Sequence, residues 1–293
     1  MRFRKIFGFL VLTALALMAP QFVRAAPAAT AEQAANQPVP DVRQLMMEVE
    51  QHQRQLEKVR ENYTYTALMT IQDVDAGGQV KKTESVESDD FFVNGHLIER
   101  TVKKNGQPLS GHDLEKENAR VTKLVEKAEQ TPSSQRLDQQ TVTVGRLLQI
   151  MDVNNPRRET FRGRPTIVFD FRGRKHVKTH GLAEDASKKL QGTIWIDESD
   201  RQVAHLEVSF VQDFRIGAGL LATVKKGSNF SFDQAPVSNG LWLPTGAEGN
   251  MQARLLLLKG IRQHLVEHDY GFKVFQVTTQ QAKHAEIVPP ASQ

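Results

Sequence analysis

Not one cysteine occurs in the 293 residues. That excludes disulfides, thiol nucleophiles, cysteine-bound zinc and a lipid-modified N-terminal cysteine. A disulfide-free chain must be held by its core, and this one is long enough to bury a large one. The motifs that announce common enzyme classes are also missing: there is no Walker loop, no G-x-S-x-G elbow and no carboxylate pair framed by apolar residues. The longest apolar run, Ile6 to Met18, is too short to span a bilayer comfortably. Excess charge is lacking too. The chain carries 38 Lys and Arg against 34 Asp and Glu, but Arg2, Arg4, Lys5 and Arg24 stand among residues 1–25 with no acid beside them. The remainder holds 34 of each sign. The high isoelectric point therefore gives no support to nucleic-acid binding, and the cluster "RGRKHVK" at 172–178 reads equally well as a solvated strand end.

The basic n-region, the apolar run and Val23-Arg24-Ala25-Ala26 form the three-part layout of a secretory signal peptide, so residues 1–25 are expected to be removed on export. A periplasmic or extracellular address follows, without a lipid anchor. Residues 26–40, rich in Ala, Pro and Gln, read as a disordered tether. Asp41 then caps an amphipathic helix over about 41–61, with Val42, Leu45, Met46, Val49 and Leu56 at helical spacing.

Beyond it the period changes to two. Tyr63, Tyr65, Ala67, Met69 and Ile71 alternate with polar residues, Gly77-Gly78 turns the chain, and Asn94-Gly95 and Asn105-Gly106 are hairpin dipeptides. A polar helix over about 111–130 and a short one over 141–152 interrupt the strands. "RRETFRGRPTIVFDFRGR" then resumes strand texture, with Ile167, Phe169 and Phe171 on one face. "GTIWIDESDRQVAHLEVSF" reads as a hairpin whose return runs from Gln202 to Phe214. Grouped rather than alternating elements predict one α+β domain, mainly β, over 41–280: a single large curved antiparallel sheet, an unclosed half-barrel with helices in or over its concave side. The segment 111–152 is a helical insertion and 281–293 a C-terminal tail.

Three motifs invite a chemical reading. "HLVEH" (His264 to His268) fits the inverted zinc-protease signature, which needs both histidines on one side of a helix. On a strand they would lie about 13 Å apart with Glu267 on the other face, and the alternation of His268, Tyr270, Phe272 and Val274 favours a strand. "GAGLLA" (217–222) fits a dinucleotide fingerprint only if a helix and a parallel strand follow, whereas basic and alternating sequence does. His176 and His180 read as surface histidines. No catalytic residue, metal or cofactor is assigned.

The leader, the helix running into "ENYTYTALMTI", the strand Gly192-Thr193-Ile194-Trp195-Ile196-Asp197 with its acidic turn, "GLWLPTGAEGNMQARLLLLKG" and "YGFKVF" together resemble the broad periplasmic group related to the LolA and LolB lipoprotein carriers. The resemblance runs over most of residues 41–277. It implies an open antiparallel barrel with helices in its mouth and a hollow for acyl chains. The length, the 111–152 insertion and the absence of a lipobox cysteine depart from that pattern.

The expected function is non-enzymatic binding or carriage of a lipid acyl chain or lipoprotein. Tyr65, Met69, Phe169, Phe171, Trp195, Leu206, Val208 and Phe210 would line the hollow. The partners expected are a lipid or lipoprotein acyl chain, an envelope protein and, transiently, the membrane, but no nucleic acid. Two other readings stand beside it: an envelope interaction or regulatory module that binds protein through the concave face, and a zinc hydrolase using His264, Glu267 and His268. Whether the apolar face encloses a hollow or ordinary core is left open by the residues.

Overall fold

The computed structural model describes residues 38–274 except 61, 133–136, 138–143, 238–239 and 256–258, with the side chains at 53–58, 60 and 144–145 also outside that description. The expected leader, most of the tether, the tail and the side chain of Leu56 thus lie outside the described residues. The elements are, in chain order, α1 (Val42–Arg60), β1 (Tyr63–Val74), β2 (Val80–Val93), β3 (His96–Lys104), β4 (Gln107–Pro108), α2 (Gly111–Gln130) and α3 (Val144–Ile150). Next come β5 (Met151–Phe161), β6 (Arg164–Gly173), α4 (Gly181–Ser187), β7 (Leu190–Asp197), β8 (Val203–Phe210), β9 (Phe214–Ile216) and β10 (Ala222–Val224). The chain ends with β11 (Asn229–Pro236), β12 (Trp242–Leu255) and β13 (Lys259–Val274).

Local chemistry sets most boundaries. Asp41 accepts a hydrogen bond from the Gln44 amide at 2.9 Å, which satisfies one of the free donors of the first helical turn. Asn94-Gly95 (φ 48° and 78°) and Asn105-Gly106 (φ 50° and 75°) take the left-handed pair of a two-residue hairpin turn. Arg162-Gly163 does the same at 48° and 79°, joining β5 to β6. An arginine there carries no turn signal, so the sequence reading ran these two strands together. The second short helix is also briefer than expected, because Met151 and Asp152 already belong to β5.

All strands pair antiparallel in one sheet, in the order β4-β3-β2-β1-β13-β12-β11-β8-β7-β6-β5, with β10 joining β12 and β9 joining β10 off that path. The terminal strands β4 and β5 do not meet, so the sheet is open. The predicted mainly-β, unclosed architecture is the one observed. The long return expected over 202–214 divides instead: β8 ends at Phe210, and β9 leaves the main path to pair with β10.

Both edges are managed. At β3, Glu117 of α2 accepts from the Thr101 amide at 2.7 Å, and Arg120 donates to the Glu99 carbonyl. A carboxylate and a guanidinium thereby take main-chain groups that another strand could use. At β5 the edge carries Pro156 between exposed Asn155 and half-buried Arg157, and a proline lacks the donor that a docking strand needs.

One face of the sheet is apolar and covered by helices. Register runs Phe169–Ile194–Leu206–Phe232–Ala247 across β6, β7, β8, β11 and β12. Leu45, Met46 and Val49 of α1, Leu148 and Ile150 of α3 and Ala186 of α4 pack against this row in one cluster. The spacing of Leu45, Met46 and Val49 is that of one helical stripe. Burial of the cluster is near complete: Phe169 is 2% exposed, Leu45 1% and Ile196 0%.

Candidate functional site

The helix-covered face is the candidate site. Beside the row above, a second row runs Phe171–Gly192–Val208–Phe230–Gly249–Leu265–Ile71 across β6, β7, β8, β11, β12, β13 and β1. Gly192 is there for space: a Cβ on it would lie 2.6 Å from the Phe171 ring and 2.0 Å from the Glu207 carbonyl. Large rings can therefore lean across the strand without being pushed off the sheet.

Seven of the eight predicted lining residues share this face, and they fall into three patches. Phe169, Leu206, Val208 and Phe210, with Phe171 at the margin, belong to the large cluster under α1 and α3. Met69 packs separately with Met251, Ala253 and Leu265. Tyr65 lies farther along β1, its ring 5.5 Å from that of Phe272. Burial raises the Tyr65 phenol well above its ordinary range, and the carboxylates of Asp90, Asp269, Glu267 and Glu99 push the same way. The face is thus apolar at one end and carboxylate-rich at the other.

Trp195 stands on the opposite face, which corrects its grouping with the other seven. It pairs with Val168 and His205, whereas its neighbours Ile194 and Ile196 enter the helix-covered cluster. There it tops a small constellation that the sequence reading did not single out. The indole Nε1 donates to Glu159 at 3.0 Å. His205 lies 4.9 Å from both the Trp195 and the Phe161 rings. Its Nδ1 is 2.7 Å from Asp233 and its Nε2 is 3.3 Å from Glu207. Burial opposes the imidazolium, but the hydrogen bonds with the two carboxylates outweigh it and raise the His205 pKa. Arg162 completes the group at 3.0 Å from Asp233. Alternation of His205 and Glu207 along β8 was legible; their meeting with Asp233 needed the register of β11.

The acidic turn after β7 is a structural hub. Asp197 accepts from the amides of Ser199 and Asp200 and from Arg164. Asp200 takes both Arg164 at 2.7 Å and the Trp242 indole at 2.9 Å. The G-x-I-W-I-D strand and its turn therefore lock β6, β7 and β12 together.

HLVEH lies wholly within β13. His264 faces Gln72 and Asn250 across the ladder, and His268 faces Leu68 and Gly246. Four residues of strand separate them by about 13 Å, so the pair cannot share a zinc ion, and Glu267 stands on the other face opposite Met69. His264 instead hydrogen-bonds Asn250 at 3.0 Å. Among the described residues no group of three His, Cys, Asp or Glu could hold a metal. GAGLLA is the connection between antiparallel β9 and β10, not the start of a βαβ unit. His176 and His180 are exposed.

No protein-family profile matches the chain, and no curated protein matches it. Solved structures do. A domain described as an outer membrane lipoprotein-sorting protein from Vibrio parahaemolyticus aligns at TM-score 0.34 and 11% identity, over 78% of this chain and 90% of that one. A DUF1329 family protein from Desulfovibrio piger aligns at 0.34 and 12%, over 82% and 93%. A LolA superfamily protein from Nitrosomonas europaea aligns at 0.30 and 12%, over 81% and 96%. At such identities the likeness is one of fold. The open antiparallel sheet itself is read from the register above.

Proposed function

We propose that this is a non-enzymatic periplasmic carrier that holds a lipid or lipoprotein acyl chain against the helix-covered face, with α1 as the element that moves aside. The leader at residues 1–25 supports the address. The observation that carries the reading is the nature of the cover. The row Phe169–Ile194–Leu206–Phe232 is closed by a helical layer, not by a second sheet, and among the described residues α1 contributes buried Leu45, Met46 and Val49 and half-buried Val42 to it.

Magnitudes allow the exchange. Removing three such side chains from a core costs roughly 1.5–3 kcal/mol each, or about 5–9 kcal/mol together. An acyl chain of about 16 carbons gains about 0.8 kcal/mol per buried CH₂, on the order of 12 kcal/mol before association costs. The gross gain from an acyl chain thus exceeds the cost of lifting the α1 stripe by a few kcal/mol, which association costs offset, so the exchange lies near balance.

A second reading is favoured by the same side chains seen from the other side. Leu45, Met46 and Val49 already fill the face, so a module that binds an envelope protein would function without α1 leaving. Native mass spectrometry separates the two. The carrier reading predicts co-purified lipid or stoichiometric uptake of a fluorescent C16 fatty acid. Persistent lipid-free protein that refuses the probe and co-purifies with a polypeptide would transfer support to the second.

A further inference from the structure

The β9–β10 hairpin lies off the main path of the sheet and ends in the sequence Gly217-Ala218-Gly219-Leu220-Leu221. Its base is anchored, with Phe214 and Val224 in the large core cluster. Its tip is not: Leu220 is 60% and Leu221 58% exposed. Other exposed apolar residues, such as Met47 and Val80, stand singly, which is ordinary for a protein surface. Two adjacent leucines on a projecting turn are not.

The turn has a defined shape. Gly217, Ala218 and Gly219 take φ of 59°, 54° and 91°, three successive left-handed residues, one of them carrying a side chain. Glycine enters this region freely, but Ala218 does so at a cost and stays there only where surrounding contacts hold it. Here the Leu220 amide donates to the Gly217 carbonyl at 2.9 Å and the Leu221 amide to the Ile216 carbonyl at 3.3 Å. A Cβ on Gly217 would sit 2.8 Å from Leu221 Cγ, so only glycine lets the backbone close against that leucine.

Cations stand on the strands beside this hairpin. Register places Arg215 opposite Thr223, and Thr223 opposite Arg254. Lys259 lies opposite Leu255, and Arg262 opposite Gln252. All four basic residues are exposed, and among the described residues none is in an ion pair. Asp213, at the base of the hairpin, takes Lys225 at 2.8 Å and also feels the charge of Arg215, as Asp75 feels that of Arg262.

We propose that the β9–β10 hairpin is a membrane-contact finger, which inserts Leu220 and Leu221 among the acyl chains of a bilayer while Arg215, Arg254, Lys259 and Arg262 meet anionic phospholipid headgroups. Paired leucines flanked by exposed cations that form no ion pair among the described residues match the two layers of such a surface, apolar below and negative above. A protein groove would need only the leucines. The inference stands apart from the carrier reading, because the leucine tip lies outside the cluster that would hold an acyl chain.

The absence of native cysteine gives a direct test. Protein purified from cells expressing the full chain, as Leu221→Cys and separately as Leu97→Cys at the opposite end of the sheet, is labelled with an environment-sensitive fluorophore. Vesicles of phosphatidylethanolamine with phosphatidylglycerol should shift the Leu221 probe to the blue and leave the Leu97 probe unchanged. In flotation, Leu220→Ser/Leu221→Ser should lower vesicle binding about tenfold. Arg215→Gln/Arg254→Gln should lower it by a similar factor or more, since each cation near an anionic leaflet contributes roughly fivefold to partitioning. Circular dichroism should be unaltered, the leucines being exposed, and fatty-acid uptake in vesicle-free solution should be unaltered too. Equal flotation of the serine variant, absence of vesicle binding by the parent protein, or capture of the finger by a protein without any blue shift would each overturn the proposal.

Discussion

Glu48 of α1 and Arg201 of the β7–β8 turn meet at 3.2 Å, tying the helix to the rim of the sheet it covers. Both side chains remain substantially exposed, at 41% and 33%, so the pair is worth at most about 1 kcal/mol. Arg201→Ala should therefore leave the denaturant midpoint nearly unchanged while making α1 easier to lift. Stopped-flow uptake of a fluorescent fatty acid should become faster; an unchanged rate with unchanged stability would show that this contact does not restrain α1.

The two faces of the sheet should respond differently to aromatic truncation. Phe169 is 2% exposed beneath the helices, and Phe169→Ala should cost about 3–5 kcal/mol. Trp195→Phe on the opposite face loses the bond to Glu159 and should cost about 0.5–1.5 kcal/mol, with acyl-chain uptake intact. Urea titration and the uptake assay, run on both variants, check the pair of statements. Impaired uptake by Trp195→Phe at normal stability would return the indole to the site.

His205 should make stability depend on pH. Its folded pKa is raised, after burial is offset by Asp233 and Glu207. The stability it supplies is thus fully present below the unfolded value near 6.5 and is lost as pH rises through the folded value. Asp233 has the opposite dependence: burial raises its pKa, but His205 and Arg162 lower it overall, so its contribution fades as pH falls through that depressed value. The stability gap between the parent protein and His205→Gln should be wider at pH 6 than at pH 9. Thermal melts at the two pH values would show it, and a gap independent of pH would refute the assignment.

Glu117 is 2% exposed, with its charge met by Arg120 and the Thr101 amide. Burial works to raise its pKa, yet these hydrogen bonds lower it. Glu117→Ala should destabilise by about 1–3 kcal/mol, chiefly through the buried Thr101 amide left without its acceptor, and should also free the β3 edge. Light scattering is expected to report self-association of this variant; a destabilised but strictly unaggregated protein would limit α2 to packing.

The repeating elements were legible because their signals are local. Period-two alternation from Tyr63 to Ile71, the Asn-Gly turns and Asp41 as a cap each depend on a few adjacent residues. The face of Trp195 was not legible, because β7 is hydrophobic on both sides: Ile194 and Ile196 go under the helices and Trp195 goes to the other face. Alternation gives relative orientation within a strand, and only the ladder to Val168 and His205 says which side is which. Likewise Glu117 and Arg120 looked like an ordinary solvated helix face, since their partners are main-chain groups of β3. Seven of the eight lining residues nevertheless fall on one face, because each strand kept its own parity correctly.

The central claim is that the apolar face takes an acyl chain only when α1 lifts. With no native thiols, Glu48→Cys/Arg201→Cys can be joined by a short bis-maleimide and compared with the unjoined double variant. The account predicts stoichiometric fluorescent fatty-acid uptake before joining and loss of it afterwards, at equal or greater thermal stability. Equal uptake by the joined and unjoined proteins, or none by either, would contradict it.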